Sequence, residues 1–338
     1  MSIQEVAQKA SVSVATVSRV FNFPDKVKPE TRARVQRAAL QVSYLPNANA
    51  RSLRTQRSRV LGVVLPTLLN PVFAECLEGI AQAATAGGYA IMPITTQYQL
   101  EREARAVNLL LAGNVDGLIL VVSSPSKSSA LKKLASAEVP YVLAYNQHPA
   151  HPCVYVDSQL AVKELVVKLA RLGHRRIAMV SGLLAASDRS QQRYRGFVKG
   201  IKAAKLTQLP LIEVPFIEAA TDQLRQALSI KLRPTALVCS NDLLAIRSLR
   251  AAHLSGLQVP RDLTITGFDG IVLGLDTTPT LSTITQPNHE LGRSSVELLV
   301  QSLAAGTKLQ ADNSVKLDYF FRDGESCGPA PKRIRKRS

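Results

Sequence analysis

A short stretch near the amino end, VSVATVSRVFN at residues 12–22, places hydroxyl, amide and guanidinium side chains on one predicted helix. Val17, Val20 and Phe21 recur at the i, i+3, i+4 spacing of a buried helical face. The opposite face then carries small side chains and one long cation: Val14, Ala15, Thr16, Ser18 and Arg19. Such a face can enter a DNA major groove, where methyl groups meet thymine, hydroxyls bond phosphates and arginine forks onto guanine.

Two more helices are predicted on either side of this one. Ser2 and Glu5 fit the capping box of a first helix. Ser13 is a suitable N-cap for the second helix, and Pro29 suits the first turn of a third. Two short helices that meet across a tight turn, with a third beneath them, form a helix-turn-helix. A purely structural three-helix bundle is the alternative interpretation.

The whole chain has a formal net charge of +17, and its basic side chains are concentrated at the two ends. Residues 1–60 contain eleven basic and three acidic side chains, and the last ten residues contain five basic and no acidic ones. A basic end segment is typical of proteins that bind a polyanion. For the short C-terminal tail, a solvated surface is an equally good interpretation.

The segment YLPNANARSLRTQRSR, residues 44–59, predicts a short helix followed by a basic linker. Leu53 is its bulky apolar side chain, and Arg51 and Arg54 flank it. An apolar side chain can wedge between base steps in the minor groove, where the negative potential attracts arginine. The segment therefore suits a minor-groove contact.

From residue 59 onward, apolar segments of strand length alternate with helical segments. RVLGVVLP, YAIMPIT and DGLILVV are three of the predicted strands, and the same alternation is repeated after VYVD at residues 154–157. This alternation predicts two α/β halves, each with a doubly wound parallel sheet. Small ligands bind at the carboxyl ends of such strands, so we expect a cleft between the halves.

Taken together, these segments resemble the lactose-repressor/galactose-repressor (LacI/GalR) family of transcriptional regulators. The resemblance rests on EVAQKASVSVATVSRVFN, ETRARV, YLPNANARSLR and RVLGVVLP, and it spans nearly the whole chain. It implies an N-terminal all-α helix-turn-helix headpiece and an α/β body similar to periplasmic binding proteins. It also implies a sequence-specific repressor whose operator affinity is controlled allosterically by a small sugar, sugar acid or sugar phosphate.

The resemblance further implies a division into domains. The expected segments are a helix-turn-helix domain at 1–46, a hinge helix and linker at 47–58, an effector-binding and dimerisation domain at 59–322, and a basic tail at 323–338. Within the third, we expect an N-subdomain at about 59–156 plus 288–317 and a C-subdomain at about 157–287. A homodimer is implied, because two hinge helices must pair at the centre of a pseudo-palindromic site in double-stranded DNA.

For DNA, the resemblance implies that Val14, Ala15 and Arg19 face base edges, that Thr16, Ser18 and Asn22 approach the backbone, and that Leu53 enters the minor groove. Four more expected contacts lie in the hinge: Asn47, Ala50, Arg51 and Arg54. One departure is Lys28, which stands where many relatives have a Ser or Thr N-cap.

For the effector, six contacts are implied: Phe73, Arg193, Phe216, Asn241, Asp269 and Gln286. Each has a structural alternative, since Arg193 could be a helix-surface cation, Asp269 a turn former and Asn241 a helix cap. The two phenylalanines could belong to the core, and Asp242 is expected only to cap a helix.

Tyr145 and Asn146 depart from the resemblance, because many relatives have an acidic residue at this place. The missing acid, with Arg189 and Arg193 nearby, leads to the hypothesis of a sugar phosphate or sugar acid as effector.

Several other functions are disfavoured. The chain has no GxGxxG after a strand, no Walker loop, no GxSxG and no paired metal ligands, so we expect neither an enzyme nor a cofactor or metal. Its four cysteines are scattered, and it has no apolar leader and no membrane-length apolar run, which predicts a cytoplasmic protein. A solute-binding protein for transport is disfavoured, because such a protein does not need the DNA-binding segment predicted at residues 1–58. A cytoplasmic small-molecule-binding protein with nonspecific DNA affinity is the remaining alternative.

Overall fold

The computed structural model describes residues 2–44, 57–216, 220–230 and 232–331. The chain divides into two compact units, Met1–Ser58 and Arg59–Ser338, which we call the headpiece and the body. The expected DNA contacts in the hinge lie outside the described residues: Asn47, Ala50, Arg51, Leu53 and Arg54.

Within residues 2–44, the headpiece contains three helices: α1 Ile3–Lys9, α2 Val14–Asn22 and α3 Pro29–Gln41. The predicted capping box of Ser2 and Glu5 is present, and Ser13 Oγ accepts a hydrogen bond from the backbone N–H of Thr16 (3.1 Å). Lys28 occupies the N-cap of α3 and, within the described residues, makes no side-chain capping bond. The helices share one apolar core: Val6, Ala7, Ala10, Val17, Val20, Val35, Ala38 and Ala39.

The body is built on two sheets. Its strands are β1 Val60–Leu65, β2 Ala90–Thr95, β3 Gly117–Leu120, β4 Tyr141–Ala144, β5 Cys153–Val156, β6 Ile177–Ser181, β7 Ile212–Glu213, β8 Ala236–Cys239, β9 Thr264–Asp269, β10 Ser282–Thr285, β11 Val315–Leu317 and β12 Phe320–Arg322. The first sheet has the order β11-β5-β4-β3-β1-β2 and the second has the order β12-β10-β9-β8-β6-β7. The pairs are parallel except that β12 is antiparallel to β10, which confirms the predicted doubly wound architecture.

Helices cover both sheets. They are α4 Pro71–Ala86, α5 Leu100–Ala112, α6 Ser129–Ala137, α7 Ser158–Arg171, α8 Asp188–Ala203, α9 Thr221–Leu228, α10 Asp242–Leu254 and α11 Asn288–Ala305. We call the first sheet with α4, α5, α6 and α11 the first lobe, and the second sheet with α7 to α10 the second lobe. Strands such as β3, β6 and β8 are buried along their whole length, as expected when helices cover both faces of a parallel sheet.

The packing of α11 on α4 positions one side of the cleft between the lobes. A Cβ atom at Gly79 of α4 would overlap the carbonyl oxygen of His289, and one at Gly292 of α11 would overlap that of Cys76. The two backbones therefore touch, which only glycine allows. This contact positions Asn288, at the amino end of α11, whose Nδ2 donates to Asp269 O in the second lobe (3.2 Å).

The chain returns to the second lobe at its end, and residues 323–331 are not a free tail. Ser326 is fully buried, with its N–H donating to Thr280 O (3.0 Å) and its hydroxyl donating to Ile265 O (2.6 Å). Ala330 N donates to Leu172 O (2.9 Å). The described part of the expected tail, residues 323–331, therefore packs against the second lobe. Residues 332–338 lie outside the described ranges.

Cys76, Cys153 and Cys239 are buried among apolar side chains, and all four cysteines are free thiols. Among the described residues, no helix has the length and apolar character needed to cross a membrane, and no group of side chains could hold a metal ion.

Candidate functional site

The recognition face, which we define as Val14, Ala15, Thr16, Ser18 and Arg19, lies on the outer side of α2. Val14, Ala15 and Arg19 are exposed, while Thr16 and Ser18 are half-buried. Val17 and Val20 point inward and hold the helix on the headpiece core. The surface therefore offers two small side chains and one long cation to a partner without using any of them for folding.

Short local bonds order the polar groups beside this face. Thr16 Oγ1 lies 2.9 Å from Ser13 Oγ, and Asn22 Nδ2 donates to the carbonyl oxygen (2.5 Å) and hydroxyl (3.2 Å) of Ser18. These bonds fix the rotamers of Thr16, Ser18 and Asn22 before any partner arrives. Residues 2–44 contain seven basic and three acidic side chains, so the unit that carries the face is cationic.

The body contains a cavity where its two lobes meet, and small-molecule sites occur preferentially at such interfaces. Its lining comes mainly from segments that follow strands of the two sheets, as expected for open α/β sheets. The lining residues are Asn70, Val72, Phe73, Tyr98, Tyr145, Gly182, Leu183, Ala186, Ser187, Arg189, Ser190, Arg193, Phe216, Asn241, Asp269 and Gln286. All six residues expected to contact an effector are thus brought together, and their roles in binding stay a prediction.

Asp269 is the centre of a buried polar network at the floor of the cavity. Its Oδ1 accepts hydrogen bonds from Arg193 Nη2 (3.2 Å) and Gln286 Nε2 (2.8 Å). Arg193 also donates to Ser240 O, and its guanidinium carbon lies 3.7 Å from the centroid of the Phe268 ring. Arg193 is therefore a buried residue and not a helix-surface cation. Burial raises the pKa of Asp269, an effect that the Arg193 charge opposes.

The backbone of Asp269 has φ 118°, a left-handed conformation that is costly for a residue with a Cβ atom. The following residue, Gly270, has φ 79°. The strand thus ends in a sharp turn at the carboxylate, so Asp269 is both a turn residue and a cavity residue. Its hydrogen bonds to Arg193 and Gln286 hold it in this strained conformation.

Of the neighbours Asn241 and Asp242, it is Asn241 that caps α10. Asn241 Oδ1 caps α10 by accepting from Leu244 N (2.9 Å), while the residue also lines the cavity. Asp242 does not cap the helix; it accepts from Ile271 N (2.8 Å) and from Thr283 Oγ1 (2.5 Å). Burial raises the pKa of Asp242 to about 7. The expectation of a simple cap is wrong, because Asp242 braces the turn after Asp269.

Aromatic rings form the apolar wall of the cavity. Phe73, at the start of α4, meets Tyr145 edge-on with ring centroids 5.6 Å apart. Tyr98 of the first lobe meets Phe216 of the second lobe edge-on at 5.9 Å, so one aromatic pair crosses the cleft. Sequence reasoning missed Tyr98, although an aromatic residue just after a strand was a usable signal.

A cluster of hydrogen bonds joins the lobes beside the cavity. Asn146 is fully buried, and its Nδ2 donates to Val122 O (2.9 Å) and to Asp188 Oδ1 (2.8 Å). Asp188 N donates to Ser123 O (2.8 Å), and Arg189 Nη1 donates to Val122 O (2.8 Å). We call these five residues the interlobe latch. Asn146 therefore lies behind the cavity wall, and its link to Asp188 could not be read from the sequence.

Two family models match this chain. Residues 2–47 match the model for bacterial regulatory proteins of the lacI family, and residues 58–322 match the model for periplasmic binding proteins and the sugar binding domain of the LacI family. A two-lobed ligand-binding body with an amino-terminal helix-turn-helix headpiece defines a class of gene regulators. The chain belongs to the LacI family.

Relatives within the family are transcriptional regulators. The HTH-type transcriptional repressor CytR of Escherichia coli (strain K12) is 32% identical over 322 residues, which cover 91% of this chain and 93% of CytR. The HTH-type transcriptional repressor PurR of Aliivibrio salmonicida (strain LFI1238) is 31% identical over 311 residues, 89% of this chain and 92% of PurR. The solved lac repressor dimer, bound to operator and the anti-inducer ONPF, has a TM-score of 0.87 at 26% identity, covering 96% of this chain and 98% of that one.

Proposed function

We propose that this protein is a transcriptional repressor that binds a pseudo-palindromic operator as a homodimer. A small carbohydrate-derived effector in the cavity of the body raises or lowers its affinity for that operator. The observation that carries the proposal is the cavity itself. Both lobes supply its walls, so a ligand within it contacts both lobes at once. The headpiece supplies a separate exposed face suited to DNA.

On the headpiece, we assign base contacts to the exposed side chains of the recognition face, Val14, Ala15 and Arg19. Thr16, Ser18 and Asn22 are assigned to the DNA backbone, because their local bonds hold their polar groups at the helix surface. Arg19 would select guanine by a bidentate bond, and the two small side chains would meet thymine methyl groups.

In the cavity, we assign effector hydroxyls or ring atoms to the polar groups of Asp269, Asn241 and Gln286. Phe73 and Phe216 would cover the apolar faces of a ring, as aromatic side chains do in many small-molecule sites. Arg193 would hold Asp269 in place and offer its Nε, which has no hydrogen-bond partner among the described residues. Neutral and anionic ligands both fit these roles.

The proposed coupling is a shift between arrangements of the two lobes. The interlobe latch and the Tyr98–Phe216 pair are contacts that a different arrangement would break or rebuild. A ligand that binds one arrangement better favours it in proportion to that difference in affinity. The hinge segments of the dimer would transmit the change to the headpieces, so that effector and operator alter each other's affinity by the same factor.

Self-association is supported by apolar side chains exposed on the body. Leu68 and Leu69 follow β1 in the first lobe, with Leu69 69% exposed. Val272, Leu273 and Leu275 follow β9 in the second lobe, with Val272 66% exposed. Exposed apolar clusters commonly mark protein interfaces, and we assign these to the homodimer.

The test is selection of the full-length protein against a random duplex DNA library at physiological salt, followed by sequencing. We expect enrichment of a pseudo-palindrome whose half-sites lie about one or two helical turns apart. The same selection with Arg19→Ala is the control, and it should relax preference at one position in each half-site. Binding without enrichment in the wild type, with or without candidate effectors, would contradict the proposed function.

A further inference from the structure

The amino end of α8 forms one wall of the cavity and is suited to an anion. The helix has sixteen residues and follows Ser187, whose side chain makes no capping bond within the described part of the chain. The first N–H groups of a helix and its dipole together attract negative charge. Ser187, Arg189 and Ser190 all line the cavity at this end.

Arg189 supplies a second, independent indication. It is only 6% exposed, and its Nη1 is occupied by Val122 O (2.8 Å) and by Asp188 Oδ1 (3.2 Å). Its Nη2 is buried and has no hydrogen-bond partner among the described residues. Arg193, one helical turn further, has an equally unpartnered Nε and is 7% exposed. Buried N–H groups of native proteins normally have partners, so a ligand oxygen is the expected one here.

The carboxylates that pair with Arg189 and Arg193 each have a further hydrogen-bond partner. Asp269 is occupied by Arg193 and Gln286, and Asp188 is occupied by Asn146 and Arg189. Burial raises the pKa of both carboxyl groups, while the neighbouring arginines oppose the change. The second carboxylate oxygen of Asp188 is unpartnered within the described residues, but Asp188 does not line the cavity. Among the described side chains that do line it, two arginines face one aspartate.

We infer that the effector is an anion whose carboxylate or phosphate group sits at the amino end of α8, between Arg189 and Arg193. The remainder of the ligand then extends toward Asp269 and the aromatic wall. Arg189 is thereby the residue that selects anionic over neutral ligands. The inference rests on the proposed function of the cavity as the effector site.

A fluorescent reporter can be placed at the cavity itself, because the chain contains no tryptophan. Leu183 lines the cavity and is 60% exposed, so Leu183→Trp adds a single emitter at the rim. The full-length Leu183→Trp protein is titrated with inorganic phosphate and, separately, with acetate, at ionic strength held constant with KCl. We expect a saturable change in emission with at least one of them, and the stronger one identifies a phosphate or a carboxylate as the preferred group.

Matched variants assign the response to α8. In the Leu183→Trp protein, Arg189→Gln should raise the apparent dissociation constant for the anion at least tenfold. Arg225→Gln, at an exposed position of α9, should leave that constant within twofold. Should Arg189→Gln fail to fold, Ser190→Asp is the second variant. Its carboxylate suits the first turn of a helix but occupies the anion position, so it should abolish the response that Ser190→Asn retains.

Two results of the anion titrations would overturn the inference. One is the absence of a saturable response to both anions, and the other is an equal response in Arg189→Gln and Arg225→Gln. A neutral sugar that shifts both emission and operator affinity, while the anions do neither, would also overturn it but leave the proposed function standing. Failure of the DNA selection would count against the proposed function alone.

Discussion

The recognition face of the headpiece and the wall of the body cavity are built in opposite ways. The recognition face comes from one nine-residue helix, its outermost side chains are exposed, and its polar bonds span three or four residues. The cavity wall is buried, and its central ion pair joins Arg193 to Asp269, 76 residues further along the chain. Recognition and folding are thus separable in the headpiece but depend on the same side chains in the body.

The largest effect that this comparison predicts is at Asp269. Asp269→Ala should destabilise the body by about 3–5 kcal/mol, because it leaves the buried Arg193 guanidinium without its charged partner. It should also remove the effector response. Chemical unfolding followed by circular dichroism measures the first effect. Asp323→Ala, whose side chain is 80% exposed in its pair with Lys168, is the control and should cost at most about 0.5 kcal/mol. Equal costs for the two variants would show that the cavity network does not support the fold.

The interlobe latch should show the next effect. Asn146→Ala removes the acceptor of Val122 N (3.0 Å) and the donor to Asp188. Leaving such buried groups unpaired should cost about 1–3 kcal/mol in unfolding free energy. Asn108→Ala, at an exposed position of α5, is the matched control and should change stability by at most about 0.5 kcal/mol. If Asn146→Ala unfolds like Asn108→Ala, the latch does not contribute to stability.

The headpiece should behave in the opposite way. Arg19→Ala should leave the unfolding transition unchanged, because Arg19 is exposed, and should lose about 1–3 kcal/mol of discrimination at one base pair. Competition binding between the selected operator and its single-base variants measures this loss. Arg34→Ala, at an exposed position of α3, is the control and should weaken binding to all these duplexes alike, if at all. Unchanged base preference in Arg19→Ala would remove Arg19 from base readout.

The smallest expected effects concern helix capping. Ser13→Ala should destabilise the headpiece by about 1 kcal/mol, because it removes the acceptor for Thr16 N. Lys28→Ser should change stability in the opposite direction, since it supplies the cap that α3 lacks. The temperature at which the headpiece signals disappear from NMR spectra of the full chain measures the stability change in both variants. Shifts of the same sign in the two variants would contradict the assignment of the caps.

Residues 2–44 of the headpiece could be predicted from sequence almost completely, because capping and periodicity act over a few residues. Ser2, Ser13 and Pro29 each marked a helix start that the structure contains. The doubly wound sheets followed from alternating strands and helices. The cavity side chains could be gathered only by resemblance to a family, since nothing in their spacing links Phe73 to Asp269.

What could not be predicted depends on contacts between distant segments. The bond from Asn146 to Asp188 and the bonds from Asp242 to Ile271 and Thr283 join different strands and helices. Ser326 looked like part of a tail because its partners, Ile265 on β9 and Thr280 before β10, lie 61 and 46 residues earlier. Such pairings arise from tertiary packing and have no local pattern.

The central claim is that the cavity of the body controls the headpiece, and reciprocal titration tests it most directly. The operator is taken from the DNA selection, and the effector is the compound, from a panel of sugars, sugar acids and sugar phosphates, that most raises the thermal unfolding midpoint of the protein. Operator affinity is measured with and without saturating effector, and effector affinity is measured with and without operator. We predict that both change by the same factor, about 5- to 150-fold. Operator affinity that is equal in the presence and absence of every bound compound would contradict the account.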